Sequence, residues 1–131
     1  MTTPDSNFPS AADYASEPVQ HPPLTVVDVM AEQRSVTEPY RNVVLSRINT
    51  SCLRLAVFEA EYRWHHHPHS DELFLVVDGR LEIDLAEGRT LVLTPWQAVV
   101  IPAATVHRTR AMGRTVNLTF EELAADTVFV D

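Results

Sequence analysis

The segment Glu72-Leu-Phe-Leu-Val-Val-Asp-Gly-Arg-Leu-Glu-Ile-Asp-Leu85 indicates the fold class more directly than any other part of the sequence. It contains two strand-like segments, 73–77 and 81–85, separated by the tripeptide 78–80. The central residue of that tripeptide, Gly79, can adopt the positive φ that tight hairpins need. The second run alternates apolar and polar residues, which is typical of a strand with one buried face. We therefore predict two strands joined by a tight hairpin turn.

The other two glycines of the chain occur in the same kind of setting. Gly88 lies in Glu-Gly-Arg and Gly113 in Met-Gly-Arg, each between two strand-like segments. The remaining apolar segments are also short, and they are 42–48, 52–58, 91–93, 98–101 and 116–120. No helical period is evident between residues 40 and 120. Many short strands with regularly spaced turn signals favour an all-β sandwich or barrel.

The 131 residues are enough for one domain with a hydrophobic core of its own. Residues 1–23 contain five prolines among small and polar residues. We predict that this segment is a mobile tail, or an arm that lies on a partner. Strand-like sequence begins near Leu24, and we expect a single β domain over residues 24–131.

Charge and composition exclude several classes of function. The net charge is −8, and all ten basic residues are arginines within residues 34–120, where nine acids balance them. No basic surface is left for phosphates, so nucleic acid is not an expected partner. The sequence has no apolar run of membrane-spanning length and no signal-peptide pattern, so we expect no membrane partner. With a single cysteine, Cys52, an internal disulfide is excluded and a cytoplasmic location is favoured.

A histidine cluster precedes and overlaps the opening segment. The stretch Trp64-His-His-His-Pro-His-Ser-Asp-Glu72 holds four of the six histidines of the chain. It could be a metal site, a solvated loop, or some of each. On a strand, residues two apart share a face, so His65 and His67 point one way and His66 the other. Pro68 ends regular pairing, and the chain then returns at Glu72, whose carboxylate could lie beside the pair.

A further candidate ligand lies far off in sequence at His107, after Ile-Pro-Ala-Ala-Thr-Val. Three imidazoles and one carboxylate suit iron, manganese, zinc, nickel or copper, so we expect one divalent transition metal per chain. A rival pair, His67 and His69, would enclose Pro68 and leave only two residues before Glu72.

These spacings resemble the motifs of the cupin superfamily. Residues 65–79 have the form His-x-His, four residues, Glu, six residues, Gly, which is the first motif. Residues 102–107 have the form of the second, Pro-x-Gly-x-x-His, with Ala104 in place of glycine. The resemblance covers residues 40–120 and extends to the small cupins similar to mannose-6-phosphate isomerase. It implies a jelly-roll barrel that binds metal inside through four residues, His65, His67, Glu72 and His107.

The departures from the family pattern concern loops and leave the ligands in place. Glu59-Ala60 stands where the family has a glycine upstream of His-x-His, and Pro95-Trp96 stands where a glycine opens the second motif. Ala111 stands where an asparagine is expected. If Ala104 needs a positive φ, that turn is mildly strained.

Other residues are site candidates because of their position. His69 lies in the loop beside the metal ligands and could act as an acid or base, or be a solvated side chain. Asp71 could hydrogen bond within that loop or to a ligand imidazole. Arg63 shares the parity of His65 and could hold an anionic substrate, or lie at the rim of the barrel. The residues expected to line the substrate pocket, because they share strand parity with a ligand, are Phe74, Val76 and Thr109.

Two kinds of function remain open at this point. Four protein ligands leave an octahedral ion up to two free positions. A metal-dependent enzyme acting on a small polar molecule could therefore be an oxygenase, or a Lewis-acid isomerase, epimerase or lyase. The alternative is a non-catalytic cupin that binds a metal or small ligand as a sensor or regulator. The resemblance also implies a homodimer, to which residues 24–38 could supply an exchanged strand.

Overall fold

The computed structural model describes residues 17–130, so the part of the predicted mobile tail before residue 17 lies outside the described residues. The elements in chain order are α1 (Val29–Arg34), β1 (Tyr40–Ile48), β2 (Ser51–Phe58), β3 (His65–His66), β4 (Glu72–Asp78), β5 (Leu81–Leu85), β6 (Thr90–Leu93), β7 (Ala98–Ile101), β8 (His107–Ala111), β9 (Thr115–Glu122) and β10 (Val128–Phe129). The prediction of an all-β fold is confirmed. None of the helices within residues 17–130 has the length and apolar character needed to cross a membrane.

The strands form two antiparallel sheets of five strands each. One sheet, here sheet A, has the order β1-β2-β9-β4-β7, and the other, sheet B, has the order β10-β3-β8-β5-β6. Most neighbours within a sheet are distant in sequence, because the chain crosses repeatedly from one sheet to the other. This arrangement of two facing sheets is the double-sheet jelly roll, and the predicted fold class is confirmed.

The turn at Gly79 is not the hairpin that we predicted. β4 pairs with β7 and β9 in sheet A, whereas β5 pairs with β6 and β8 in sheet B. The turn at Gly113, between β8 and β9, likewise crosses between the sheets, and only the turn at Gly88 joins two paired strands. All three glycines do have a positive φ. Positive φ predicts a tight turn but not whether the flanking strands pair, since that depends on which sheet completes the core.

The two crossing turns pack against each other at one end of the barrel. The hydroxyl of Thr115 donates to the carbonyl of Arg80 at 3.0 Å and accepts from the Arg80 N–H at 3.2 Å. A Cβ built on Gly79 would lie 2.6 Å from the carbonyl oxygen of Arg114. Glycine is therefore needed at Gly79 both for its φ of +88° and for the close approach of the second turn.

Apolar residues fill two separate cores. The barrel interior holds one core: Ala56, Phe58, Phe74, Val76, Leu81, Ile83, Leu85, Leu93, Ile101 and Ala111. The outer face of sheet A carries the second: Val36, Leu45, Leu55, Val57, Val77 and Val116. Residues 27–36 cover this outer face and include α1, whose N-cap Asp28 accepts a hydrogen bond from the Ala31 N–H. Residues 29–34 thus form a helix, not the strand that we expected from residues 24–38.

The last residues of the predicted tail run along the edge strand β1. Val19 forms a parallel bridge with Val44, and the N–H groups of Gln20 and His21 donate to the carbonyls of Val44 and Leu45 at 2.9 and 3.0 Å. This contact places residues 19–21 along the edge of sheet A that β1 forms. It also allows the Glu17 side chain to reach a buried arginine, Arg54, at 3.0 Å.

Candidate metal centre

The four predicted ligands converge inside the barrel. His65 lies on β3, His107 begins β8, and Glu72 begins β4, while His67 follows β3 directly. His65 and His107 are paired residues on adjacent strands. All four side chains are buried, and one candidate ligand atom of each lies within 4.8 Å of the others. Two facing sheets therefore bring together residues that are 42 positions apart in sequence, from 65 to 107.

Three of the ligand atoms lack the partners that buried polar atoms normally have. Nε2 of His67 lies 3.2 Å from Oε1 of Glu72, and Nε2 of His107 lies 3.4 Å from the same oxygen. Despite these short distances, none of the three atoms makes a well-formed hydrogen bond within residues 17–130. Unpartnered buried polar atoms are rare and costly, so their convergence on one point requires an explanation.

The opposite ring nitrogens are held by the backbone in two of the three imidazoles. Nδ1 of His65 lies 2.7 Å from the carbonyl of Arg63, and Nδ1 of His107 lies 2.8 Å from the carbonyl of Thr105. Each Nδ1 therefore donates, which leaves Nε2 as a lone-pair acceptor directed at the centre. The third, His67, instead has the Thr127 hydroxyl 3.3 Å from its Nδ1.

The ionisation of the group follows from burial and mutual contact. Burial acts to raise the pKa of Glu72, but the close approach of the His107 and His67 imidazoles outweighs it and holds that pKa well below its usual range. Burial and the neighbouring His107 lower the pKa of His65 to about 4. Burial opposes the charging of His67, but contact with Glu72 dominates and raises its pKa. The site therefore favours an ionised Glu72 and a neutral His65, the forms that bind metal, whereas a cation must displace the proton that the raised pKa of His67 favours.

This donor set fits a divalent transition metal. Three imidazole nitrogens and one carboxylate oxygen are borderline ligands that suit first-row ions. A cation among them would give partners to Nε2 of His67, Nε2 of His107 and Oε1 of Glu72 at once. The structure thus brings together the residues named by the spacing analysis.

A cavity of about 460 Å³ opens beside the ligand group, between the two sheets. Phe74 and Thr109, which we expected in the pocket, line it. Val76 does not line it and is fully buried in the barrel core. Parity placed Val76 on the correct face of β4, but the core fills that end of the barrel. The C-terminal loop 123–127, between β9 and β10, covers one side of the cavity.

A second buried carboxylate, Glu121, lies on the cavity wall and was not predicted as a site residue. Its Oε2 is 3.6 Å from Nε2 of His67, and its Oε1 is 3.2 Å from Nε of Arg54. Burial, and then the charge of Glu72, raise the pKa of Glu121 to about 8. Glu121 was missed because the apolar segment recognised at 116–120 ends one residue before it, whereas β9 runs to Glu122. If that segment is extended to residue 122, Glu121 shares a face with Thr119 and points into the barrel.

The remaining candidates lie outside the cavity lining. His69 is exposed in the turn before β4, and the Arg63 guanidinium lies 3.9 Å from the centre of the Phe129 ring. Oδ1 of Asp71 accepts from the Ala103 N–H at 2.8 Å, and the Ala104 N–H donates to the His67 carbonyl, also at 2.8 Å. These two bonds fasten the loops that carry the ligands. Ala104 has a φ of +65°, so the turn is strained in the manner considered above.

Comparison with known proteins agrees with this geometry. Residues 54–121 match the family model described as "Cupin domain". The chain is 47% identical over 104 residues to the uncharacterized protein YdbB of Bacillus subtilis (strain 168), which covers 79% of this chain and 92% of that protein. It is also 47% identical over 49 residues to the polyketide synthase CurC of Streptomyces cyaneus, covering 37% of this chain and 31% of that protein.

Solved structures show the same fold at lower sequence identity. A cupin-2 domain containing protein from Shewanella frigidimarina superposes with a TM-score of 0.70 at 24% identity. The match covers 74% of this chain and 94% of that one. Protein NMB1881 from Neisseria meningitidis gives a TM-score of 0.68 at 20% identity, over 75% of this chain and 99% of that one. Likeness at this identity supports the fold.

Proposed function

This chain belongs to the cupin domain family, and we propose that it is a metal-dependent enzyme acting on a small polar organic molecule inside the barrel. One observation carries the proposal. Glu121, a second buried carboxylate, lines the same cavity as the four ligands but is not one of them. A protein that only binds metal has no need of such a group, and burying a carboxylate is costly.

The four ligands divide the chemistry between the metal and the protein. His65, His67, Glu72 and His107 would hold a divalent transition metal. When bound, such an ion polarises a carbonyl oxygen of the substrate and makes the adjacent C–H more acidic. Because Glu72 is committed as a ligand, the reaction needs another group to accept that proton.

Glu121 is placed to accept it. Its Oε2 is directed toward the ligand group and makes no hydrogen bond within the described residues, while Oε1 is held by Arg54. Arg54 thereby fixes the orientation of the carboxylate and leaves one oxygen free to react. A cation held by His67 and Glu72 would also favour the ionised form of Glu121, because a nearby positive charge lowers the pKa of a carboxyl group.

We therefore infer a proton-transfer reaction next to a carbonyl, as in an isomerase, epimerase or lyase, in preference to an oxygenase reaction. The partial similarity to a protein named polyketide synthase supports a carbonyl-containing substrate, since polyketides are built from carbonyl units. That similarity covers 37% of this chain, so it supports only the presence of a carbonyl group in the substrate and not a particular polyketide.

Metal content tests the ligand assignment. The purified protein is expected to hold about one equivalent of transition metal per chain. His65→Ala and His107→Ala are expected to lose it, as measured by elemental analysis. His69→Ala is the matched control, because this histidine lies in the same cluster but outside the cavity lining. Full metal content in both ligand variants would contradict the site.

Hydrogen exchange tests the reaction class. Metal-loaded protein in D₂O is incubated with dihydroxyacetone and other hydroxyketones, and loss of the proton signal next to the carbonyl is followed by NMR. Glu121→Gln is expected to keep its metal and to lose about 100-fold or more of the exchange rate. Glu122→Gln is the control, since this neighbour points to the other face of β9. Oxygen consumption without hydrogen exchange would contradict the proton-transfer reaction and favour an oxygenase reaction.

A further inference from the structure

One wall of the cavity is polar, and its chemistry restricts what the cavity can bind. We define the polar wall as Asn42 of β1, Arg54 of β2, and Thr119 and Glu121 of β9. All four line the cavity, and Arg54, Thr119 and Glu121 are more than nine-tenths buried. They belong to sheet A, whereas His65 and His107 belong to sheet B. A ligand between the sheets therefore meets His65 and His107 on one side and the polar wall on the other, with Glu72 on the same sheet as the wall.

Arg54 is already engaged by acceptors from the protein. Its Nη1 donates to Glu17 and to Oδ1 of Asn42, both at 3.0 Å, and its Nε lies 3.2 Å from Glu121. A guanidinium in this position could in principle hold the carboxylate or phosphate of a substrate. Here two carboxylates from the chain occupy that role instead.

The charge of the wall leaves nothing to attract an anion. Counted together with Glu17, which forms an ion pair with Arg54, the wall is neutral when Glu121 carries a proton and negative when it does not. The conclusion is the same in either state. Arg63, the other arginine considered for an anionic substrate, stacks on Phe129 and is not among the cavity-lining residues.

What the wall does offer to a ligand is hydrogen-bond acceptors. Oε2 of Glu121 and Oγ1 of Thr119 are buried and have no hydrogen-bond partner within the described residues. The two residues are two positions apart on β9, so both face the cavity. Buried acceptors of this kind favour a ligand that brings O–H or N–H groups. The rest of the lining near them, Tyr40, Ala56, Phe58 and Phe74, is mainly apolar or aromatic.

We propose that, in the enzyme inferred above, the polar wall selects an uncharged substrate that carries hydroxyl or N–H donors, and rejects substrates that bear a carboxylate or phosphate at this end. The donors bind Glu121 and Thr119, and an apolar face of the substrate lies against the aromatic lining. This inference rests on the proposed function, and it names the class of substrate. Glu17 acts as a specificity-determining residue, because it removes the positive charge of Arg54 from the ligand's reach.

A matched pair of probes tests the charge preference. The compounds 3,4-dihydroxybenzamide and 3,4-dihydroxybenzoate share a diol that can bind a metal and differ in the charge at the far end. Binding to anaerobic, zinc-loaded protein is measured by calorimetry. The amide is expected to bind about tenfold or more tightly than the carboxylate, because Arg54 is already paired with Glu17 and Glu121 and nothing in the wall offsets the desolvation of a buried negative charge. Equal affinity, or tighter binding of the carboxylate, would overturn the proposal.

Variants identify the residues responsible. Glu17→Gln is expected to raise the affinity for the carboxylate probe, so that the ratio of amide affinity to carboxylate affinity falls several-fold. Glu32→Gln is the matched control, because this acid contacts His21 outside the cavity. Thr119→Val is expected to lower the affinity for the amide probe and to leave the metal content unchanged. An unchanged ratio in Glu17→Gln would also overturn the proposal.

The two proposals fail in different ways. Protein that takes up no metal, or whose hydrogen exchange does not depend on Glu121, would refute the proposed function and with it this inference. Protein that holds metal and catalyses exchange, but prefers the carboxylate probe, would refute the specificity alone.

Discussion

Replacing Gly79 by alanine tests the way in which the barrel is closed. An alanine Cβ would lie 2.6 Å from the Arg114 carbonyl oxygen, 2.7 Å from Oγ1 of Thr115 and 2.8 Å from Cα of Thr115. Two of these three atoms belong to the backbone, so no side-chain rotation relieves the overlap. The two crossing turns must move apart, and the paired ends of β4 and β9 move with them.

The magnitude follows from two contributions. A residue with a Cβ in the left-handed region costs about 1–2 kcal/mol, and forcing extra volume into a packed site costs about 1–3 kcal/mol more. Gly79→Ala is therefore expected to lose about 2–5 kcal/mol in the free energy of unfolding. For a chain of this length, each kcal/mol corresponds to about 3–5 °C in Tm.

Gly88→Ala and Gly113→Ala are the matched controls. Both glycines have a positive φ, +103° and +79°, but a Cβ on either would meet no atom within 4 Å. They are expected to lose only the conformational part, about 1–2 kcal/mol. The assay is urea unfolding with a metal chelator present, because bound metal would shift every midpoint. Equal losses in all three variants would refute the close packing of the crossing turns.

Three other predictions concern the ligand loops. Ala104→Gly relieves a φ of +65°, so we expect about 1 kcal/mol more stability in urea unfolding at unchanged metal content. Thr127→Val removes the hydroxyl beside Nδ1 of His67 and is expected to weaken zinc binding about tenfold in chelator competition, whereas Thr127→Ser retains it. Zinc affinity is expected to fall as the pH is lowered through neutrality, because contact with Glu72 raises the pKa of His67 and a proton then competes for Nε2. Affinity that stays constant from pH 7.5 to about 5.5 would contradict this account of the site.

Much of the ligand group could be predicted because its signal is local. His65, His67 and Glu72 lie within eight residues, and strand parity assigns their faces without knowledge of the fold. His107 could be named as a candidate from the sequence, but only the family resemblance tied it to the other three, since nothing in the residues themselves places two distant strands side by side. The all-β class followed from short apolar segments and glycine turns.

The polar wall could not be predicted in the same way. Arg54 and Glu121 contact each other from neighbouring strands, β2 and β9, although the two residues are 67 positions apart in sequence. A charged residue at a strand end reads as a solvent-exposed residue unless the strand's neighbours are known. The helix over 29–34 was missed for a related reason, because the apolar residues of 27–36 fit either a strand or a short helix that covers a sheet.

The pairing of β10 with β3 has a consequence for the order of folding. Val128 and Phe129 pair with His66 and His65, so one edge of the strand that carries a metal ligand is completed by residues about 60 positions later. Closing so long a loop costs chain entropy before the contact repays it. During synthesis, all four ligands leave the ribosome before β10 does. The edge of β3, the strand that carries His65, is therefore completed only after the C-terminal residues have been synthesised.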